Sequence, residues 1–161
     1  MRVGIGYDIH RLAPGRRCVI GGVEIPYPRG PQAHSDGDVL LHALMDALLG
    51  AAALGDLGAH FPPEAPAYEG ASGSDLLARV RAMVVAAGHR IEALDATVVA
   101  EEPRLSPHVA AMRETIARVL GVAADRVSVK ATTRDGLGDI GRGEAIAAIA
   151  VVLLAEGSTA R

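Results

Sequence analysis

The stretch Val3-Gly4-Ile5-Gly6-Tyr7-Asp8-Ile9-His10 decides how the rest of the chain is read. Val3, Ile5, Tyr7 and Ile9 alternate with Gly4, Gly6, Asp8 and His10, and period two means a strand. One face is apolar. The other carries two glycines, then a carboxylate and an imidazole two residues apart. The glycines leave room for something bulky against that face.

Working outward, Cys18-Val19-Ile20 and Val23-Glu24-Ile25 flank Gly21-Gly22, a two-residue hairpin signal. Pro26, Pro28, Gly30 and Pro31 then read as a loop. Ser35 or Asp36 can cap a helix running from about Asp38 to Gly50. Residues 61–73 carry three prolines and two glycines, a long surface loop of a length that often serves as a lid. Ser74 caps a second helix, with Leu76, Leu77, Val80, Met83, Val84 and Ala87 on one face and Gly88 as its stop. Ile91–Ala100 reads as a strand. Ser106-Pro107 opens a third helix that Gly121 closes, and Val127, Val129 and Ala131 mark another strand. In the last apolar run, Ala145–Ala155, alanines favour helix and Ile and Val favour strand; the alternation of its neighbours decides for strand. The expected architecture is one α/β domain over residues 1–161, with a four-stranded mixed sheet, helices packed on one face and a small N-terminal hairpin.

Composition narrows the function classes. With 161 residues and 50% hydrophobic content the chain can bury a real core, and with 2% aromatics that core is aliphatic. A mean hydropathy of +0.25 is high for a small domain and suggests apolar surface turned toward other subunits. The net charge of −3 lacks the electrostatic footprint of a nucleic-acid binder. Cys18 is the only cysteine, which excludes an intrachain disulfide and a cysteine-based zinc site. No apolar leader opens the chain and no run reaches the roughly 20 residues that span a bilayer, so a cytoplasmic protein is expected.

The chemistry concentrates in few places. His42 lies on the first expected helix with Asp38 and Asp46 four residues to either side, a polar stripe among Val, Leu, Ala and Met. Unpaired polar groups are costly to bury, so such a stripe needs a partner. Asp8, His10 and His42 suit zinc, and three protein ligands leave a fourth position for water or substrate. Asp38 or Asp46 can accept the free N–H of His42. The bland alternative is a solvated Asp-x-His and an ordinary helix histidine. His34 and Ser35, in the loop feeding the helix, can donate hydrogen bonds to a phosphate, or Ser35 is simply a cap. The segment Lys130–Glu144 ends a strand with Thr132 and Thr133 and continues with four glycines and Arg142. Such loops can cradle phosphates, and Arg142 can pair with them bidentately. They are also often plain turns.

Taken together, Gly6-Tyr-Asp-Ile-His10, Ala33-His-Ser-Asp-Gly-Asp-Val39, His42-Ala-Leu44, Asp46 to Gly58, Val129-Lys-Ala-Thr-Thr133 and Gly141-Arg-Gly-Glu144 carry a likeness that runs almost end to end. The sequence closely resembles the 2-C-methyl-D-erythritol 2,4-cyclodiphosphate synthase family of non-mevalonate isoprenoid biosynthesis. The resemblance implies a lyase that cyclises 4-diphosphocytidyl-2-C-methyl-D-erythritol 2-phosphate and releases CMP, working as a homotrimer with sites between subunits. It implies Zn2+ on Asp8, His10 and His42, and Mg2+ or Mn2+ on the diphosphate. It implies phosphate contacts from His34 and Thr133, erythritol contacts from Asp56 and Gly58, and substrate contact from Ser35 and Phe61. A cytidine pocket on the neighbouring subunit maps onto Ala100, Pro103, Ala131, Thr132 and Thr133. Asp135 stands where a longer Glu commonly reaches the second metal. Asp139 stands where Phe is common at the trimer axis, placed to pair with Arg142 and weaken binding of an isoprenoid diphosphate there. A zinc-dependent phosphoesterase using metal-bound hydroxide, and a non-enzymatic trimer that binds isoprenoid diphosphates, are the competing readings.

Overall fold

The computed structural model describes residues 1–62 and 64–157; Pro63 of the expected loop and the last four residues of the expected domain lie outside them. Strand β1 (Arg2–Pro14) alternates as its sequence dictates, with Val3, Ile5, Tyr7 and Ile9 exposed and Gly4 and Gly6 buried. The bulky neighbour for which the glycines leave room is a helix. A Cβ on Gly4 would lie 2.0 Å from the Ala47 carbonyl oxygen, and one on Gly6 1.9 Å from that of Ala43. Only glycine lets the backbone of α1 (Val39–Ala51) rest directly on the strand.

The small hairpin pairs β2 (Cys18–Ile20) with β3 (Val23–Ile25). Gly21 and Gly22 both sit at positive φ (62° and 72°), as a two-residue turn matching the twist of its strands requires. After β4 (Arg29–Pro31) and α1 come the short α2 (Leu57–His60) and a 3-10 turn at Pro66–Tyr68 inside the expected 61–73 loop. Helix α3 (Gly73–Ala86), β5 (His89–Val99), α4 (Val109–Leu120), β6 (Val127–Thr132), α5 (Gly138–Gly141) and β7 (Ala145–Glu156) complete the chain. The ambiguous last run is a strand, held on one side by β1 and on the other by β5.

The main sheet has five strands in the order β4-β1-β7-β5-β6, one more than expected. It is mixed: β5 and β6 are parallel and the other pairs antiparallel. The extra strand is β4, which pairs Leu12 with Pro31 at the edge. A three-residue edge strand ending in proline leaves little pattern to read, and the edge is where proline's missing N–H is tolerated.

Two helix starts also differ from expectation. Asp38 caps α1 in place of Ser35 or Asp36: fully buried, its carboxylate accepts the Leu41 N–H (3.0 Å) and those of Gly21 (2.9 Å) and Gly22 (2.6 Å). It thereby ties the hairpin turn to the helix. Helix α3 starts at Gly73 and not behind a Ser74 cap; its Gly73 N–H is satisfied by Asp36 at 2.7 Å, from the segment feeding α1.

Helix α1 lies across β1 and β7, with α3 beside it and α4 beside α3 and β6, and Leu40, Leu44, Leu48, Leu77, Ile116 and Leu154 belong to the shared core. On the opposite face Val3 (69%), Ile5 (71%), Tyr7 (55%) and Val151 (40%) remain exposed. No helix among the described residues is long and apolar enough to cross a membrane.

Candidate metal centre

Continuing along β1 past Gly6, the same face next presents Asp8 and His10, and α1 carries His42 one position before Ala43, the residue seated on Gly6. The glycine contact therefore sets the approach of His42 to the strand. Asp8 Oδ2 lies 2.8 Å from His10 Nε2 and 2.9 Å from His42 Nδ1, and the two nitrogens are 3.1 Å apart. Ligands about 2 Å from a tetrahedral ion are separated by roughly 3.3 Å, so a few tenths of an ångström of expansion would seat one. One carboxylate oxygen and two imidazole nitrogens are a donor set that fits a divalent ion such as zinc.

The electrostatics support the grouping. Burial works to raise the Asp8 pKa, but hydrogen bonds and charge from His10 and His42 outweigh it and hold the carboxyl well below its usual range. For His42, burial pulls the imidazole down, yet Asp8 more than offsets this and leaves it raised. Asp38, unlike Asp8, is raised: burial pushes it up to about 6, against the pull of its three backbone donors.

The centre forms part of the wall of a 240 Å³ cavity. His34, Ser35, Gly58 and Phe61 line it with the triad, and Tyr68 and Leu76 add apolar wall. The Phe61 and Tyr68 rings meet edge-to-face at 5.3 Å, which closes the loop side of the cavity. Asp56 is not in that lining; its carboxylate caps α2 through the Ala59 N–H at 2.8 Å. The two acids expected to orient His42 are also engaged elsewhere. Asp38 serves the caps described above, and Asp46 accepts the Leu57 N–H at 2.7 Å. The group facing the outer nitrogen of His42 is the Ser35 hydroxyl, 3.1 Å from Nε2.

A separate 610 Å³ cavity gathers Ala100, Pro103, Ala131, Thr132 and Thr133 with Tyr27 and Arg104; it shares no lining residue with the first. Asp135, at φ 51°, exchanges hydrogen bonds with Thr133: the Thr133 hydroxyl donates to its carboxylate and accepts its N–H, each at 3.3 Å. Glu101 steadies the same loop by accepting the Arg134 N–H at 3.2 Å. Arg142 is paired with Asp139, as the sequence anticipates, and with Glu144 at 3.0 Å.

Fold and site define a small α/β protein with an Asp/His/His cluster that could hold a divalent ion, opening onto a cavity. The YgbB family matches residues 1–155, and the chain belongs to it. It is 60% identical over 154 residues to the 2-C-methyl-D-erythritol 2,4-cyclodiphosphate synthase of Moorella thermoacetica, covering 96% of this chain and 94% of the relative. Among solved structures, a 2C-methyl-D-erythritol-2,4-cyclodiphosphate synthase in its CDP-bound form superposes with a TM-score of 0.88 at 37% identity, covering 96% of this chain and 100% of the other. The bifunctional IspDF of Campylobacter jejuni superposes with a TM-score of 0.93 at 39% identity over 96% of this chain, which spans 42% of that longer protein.

Proposed function

We infer that this chain converts 4-diphosphocytidyl-2-C-methyl-D-erythritol 2-phosphate to 2-C-methyl-D-erythritol 2,4-cyclodiphosphate and CMP, in isoprenoid biosynthesis. The observation that carries the reading is the Asp8, His10 and His42 triad converging on a cavity, in a chain 60% identical to a synthase of that name. In this reaction a 2-phosphate oxygen forms a bond to the β-phosphorus while the bond from that phosphorus to the CMP oxygen breaks. Two anions must approach each other, so the site has to neutralise charge and hold both ends of one substrate together.

Asp8, His10 and His42 would hold Zn2+, which when bound supplies Lewis-acid stabilisation of phosphate charge. His34 and Ser35, in the cavity wall, donate to phosphate oxygens, and Gly58 lets backbone approach the erythritol, with Asp56 beside it at the head of α2. Phe61, Tyr68 and Leu76 exclude water, which protects the intramolecular path from hydrolysis. Ala100, Pro103, Ala131 and Thr132 form a cytidine pocket, and Thr133 and Asp135 would serve the diphosphate and its Mg2+ or Mn2+, an ion that would neutralise phosphate charge.

Since the two cavities are separate within one chain, we propose that a homotrimer joins the metal centre of one subunit to the cytidine pocket of the next. The exposed apolar sheet face gives such an assembly its contact surface. An isoprenoid diphosphate at the axis has to displace Asp139 and Glu144 from Arg142, and we propose weak binding there. A nucleotide-linked substrate and a lone buried thiol, Cys18, go with a cytoplasmic location.

The competing phosphoesterase is separated by running the reaction in 18O-labelled water. Intramolecular transfer leaves the cyclic product and CMP unlabelled; label in a phosphate product would mean that water is the nucleophile.

A further inference from the structure

We propose that Ser35 is a positioning residue for the metal centre, whose Oγ accepts the Nε2–H of His42 and so leaves Nδ1 free as a ligand, while its own O–H points its donor capacity at the substrate cavity. The inference rests on the metal reading above. A neutral histidine that offers Nδ1 to an ion carries its proton on Nε2, and a second-shell acceptor fixes that tautomer. Neither acid on α1 itself hydrogen-bonds the His42 ring: Asp38 accepts the N–H groups of Gly21, Gly22 and Leu41, and Asp46 that of Leu57. Ser35 Oγ lies 3.1 Å from His42 Nε2.

The hydrogen-bond inventory of the hydroxyl then assigns its remaining group. A serine oxygen accepts two hydrogen bonds and donates one. The Gly37 N–H, 3.2 Å away, takes one acceptor position and His42 the other. The O–H is left for a third partner, and Ser35 lines the cavity with His10 and His34. An anionic phosphate oxygen is the acceptor such a donor suits. Accepting that hydrogen bond polarises the hydroxyl and strengthens its grip on His42, so metal and substrate binding are coupled through one oxygen atom.

The position is built to hold still. Gly37 sits at φ +74°, and a Cβ there would lie 2.8 Å from that of Pro31, a conformation and a contact that disfavour a side chain. Asp36 accepts N–H groups from Gly73 (2.7 Å) and Asp38 (3.1 Å). On the flanks, His34 O accepts the Gly70 N–H at 2.8 Å and the Asp36 N–H reaches Ala71 O at 3.1 Å. The Ser35 backbone is thus anchored on both sides, and its side chain meets His42 in a fixed geometry.

The test compares wild type, Ser35→Ala and Ser35→Thr, with Ser35→Gly as a second hydroxyl-free variant should the alanine protein fail to fold. Zinc affinity is measured by competition with a chromophoric chelator, and ligand geometry by the d–d absorption of the cobalt-substituted protein. Loss of the hydroxyl should weaken zinc binding about tenfold or more and shift the cobalt spectrum, while threonine restores both. At saturating zinc the hydroxyl-free variants should also show a raised KM, because the phosphate donor is gone. Wild-type zinc affinity and an unchanged cobalt spectrum in Ser35→Ala would overturn the role of Ser35 and leave the metal reading standing. Failure of the wild-type protein to bind zinc would overturn both.

Discussion

His42 joins helix to strand at the centre of the site, and its protonation gives the site a readable pH dependence. Burial alone would lower its pKa, but the hydrogen bond and charge of Asp8 raise it above the ordinary 6.5. A histidine raised in the folded state stabilises the metal-free protein fully below the unfolded value and ceases to do so as pH climbs through the folded one. Zinc needs the deprotonated ring, so its stabilisation runs in the opposite direction. The gap in Tm between zinc-loaded and chelator-treated protein should therefore widen from about pH 6 to about pH 8; a gap that narrows over that range contradicts the ligand assignment. His42→Ala should lose zinc and turnover together, whereas unchanged function would favour the non-enzymatic diphosphate-binding reading. Asp38 tests a structural claim at the same scale. Replacing it with alanine strands three N–H donors, two of them in the hairpin turn, and should cost about 2–4 kcal/mol in denaturant unfolding.

At the scale of elements, the contact of α1 with β1 is the device that builds the centre. Gly6→Ala drives a methyl group to within 1.9 Å of the Ala43 carbonyl, and backbone cannot step aside as a flexible side chain can. The helix must lift, at a cost of about 1–3 kcal/mol, and zinc affinity should fall with it because His42 adjoins Ala43. Gly50→Ala, on the same helix with open space around it, is the control and should be neutral or stabilising by up to about 1 kcal/mol. This contact also explains what was legible in the sequence. The alternation of β1 and the two-residue spacing of Asp8 and His10 depend on residues near each other in sequence and can be read directly, whereas His42, far along the chain, meets them only through the fold. The cap of α1 could not be read so: the choice between Ser35, Asp36 and Asp38 turns on Gly21, Gly22 and Gly73, which only the tertiary fold delivers. The Ser35 hydroxyl beside His42 Nε2 was not legible for the same reason, since helical spacing finds neighbours on one helix and misses a loop hydroxyl from outside it. Strand β4 escaped because three edge residues ending in proline carry no period.

For the whole molecule, the exposed face of β1 and β7 and the separation of the two cavities point to one arrangement. Ile5 and Tyr7 stand 71% and 55% exposed on a sheet face that a lone chain would leave in water. Tyr7→Glu should lower the mass measured by light scattering from that of a trimer to that of a monomer. It should also abolish turnover while Asp8, His10 and His42 still bind zinc, since the triad lies within one chain and, in the proposed trimer, the cytidine pocket would come from another. A monomeric variant with full activity would contradict the shared site. The central claim is the cyclisation itself, and phosphorus NMR of the zinc- and magnesium-loaded protein with its cytidyl substrate tests it most directly. The account predicts the paired resonances of a cyclic diphosphate growing in step with CMP; linear phosphate products without the cyclic species would contradict it.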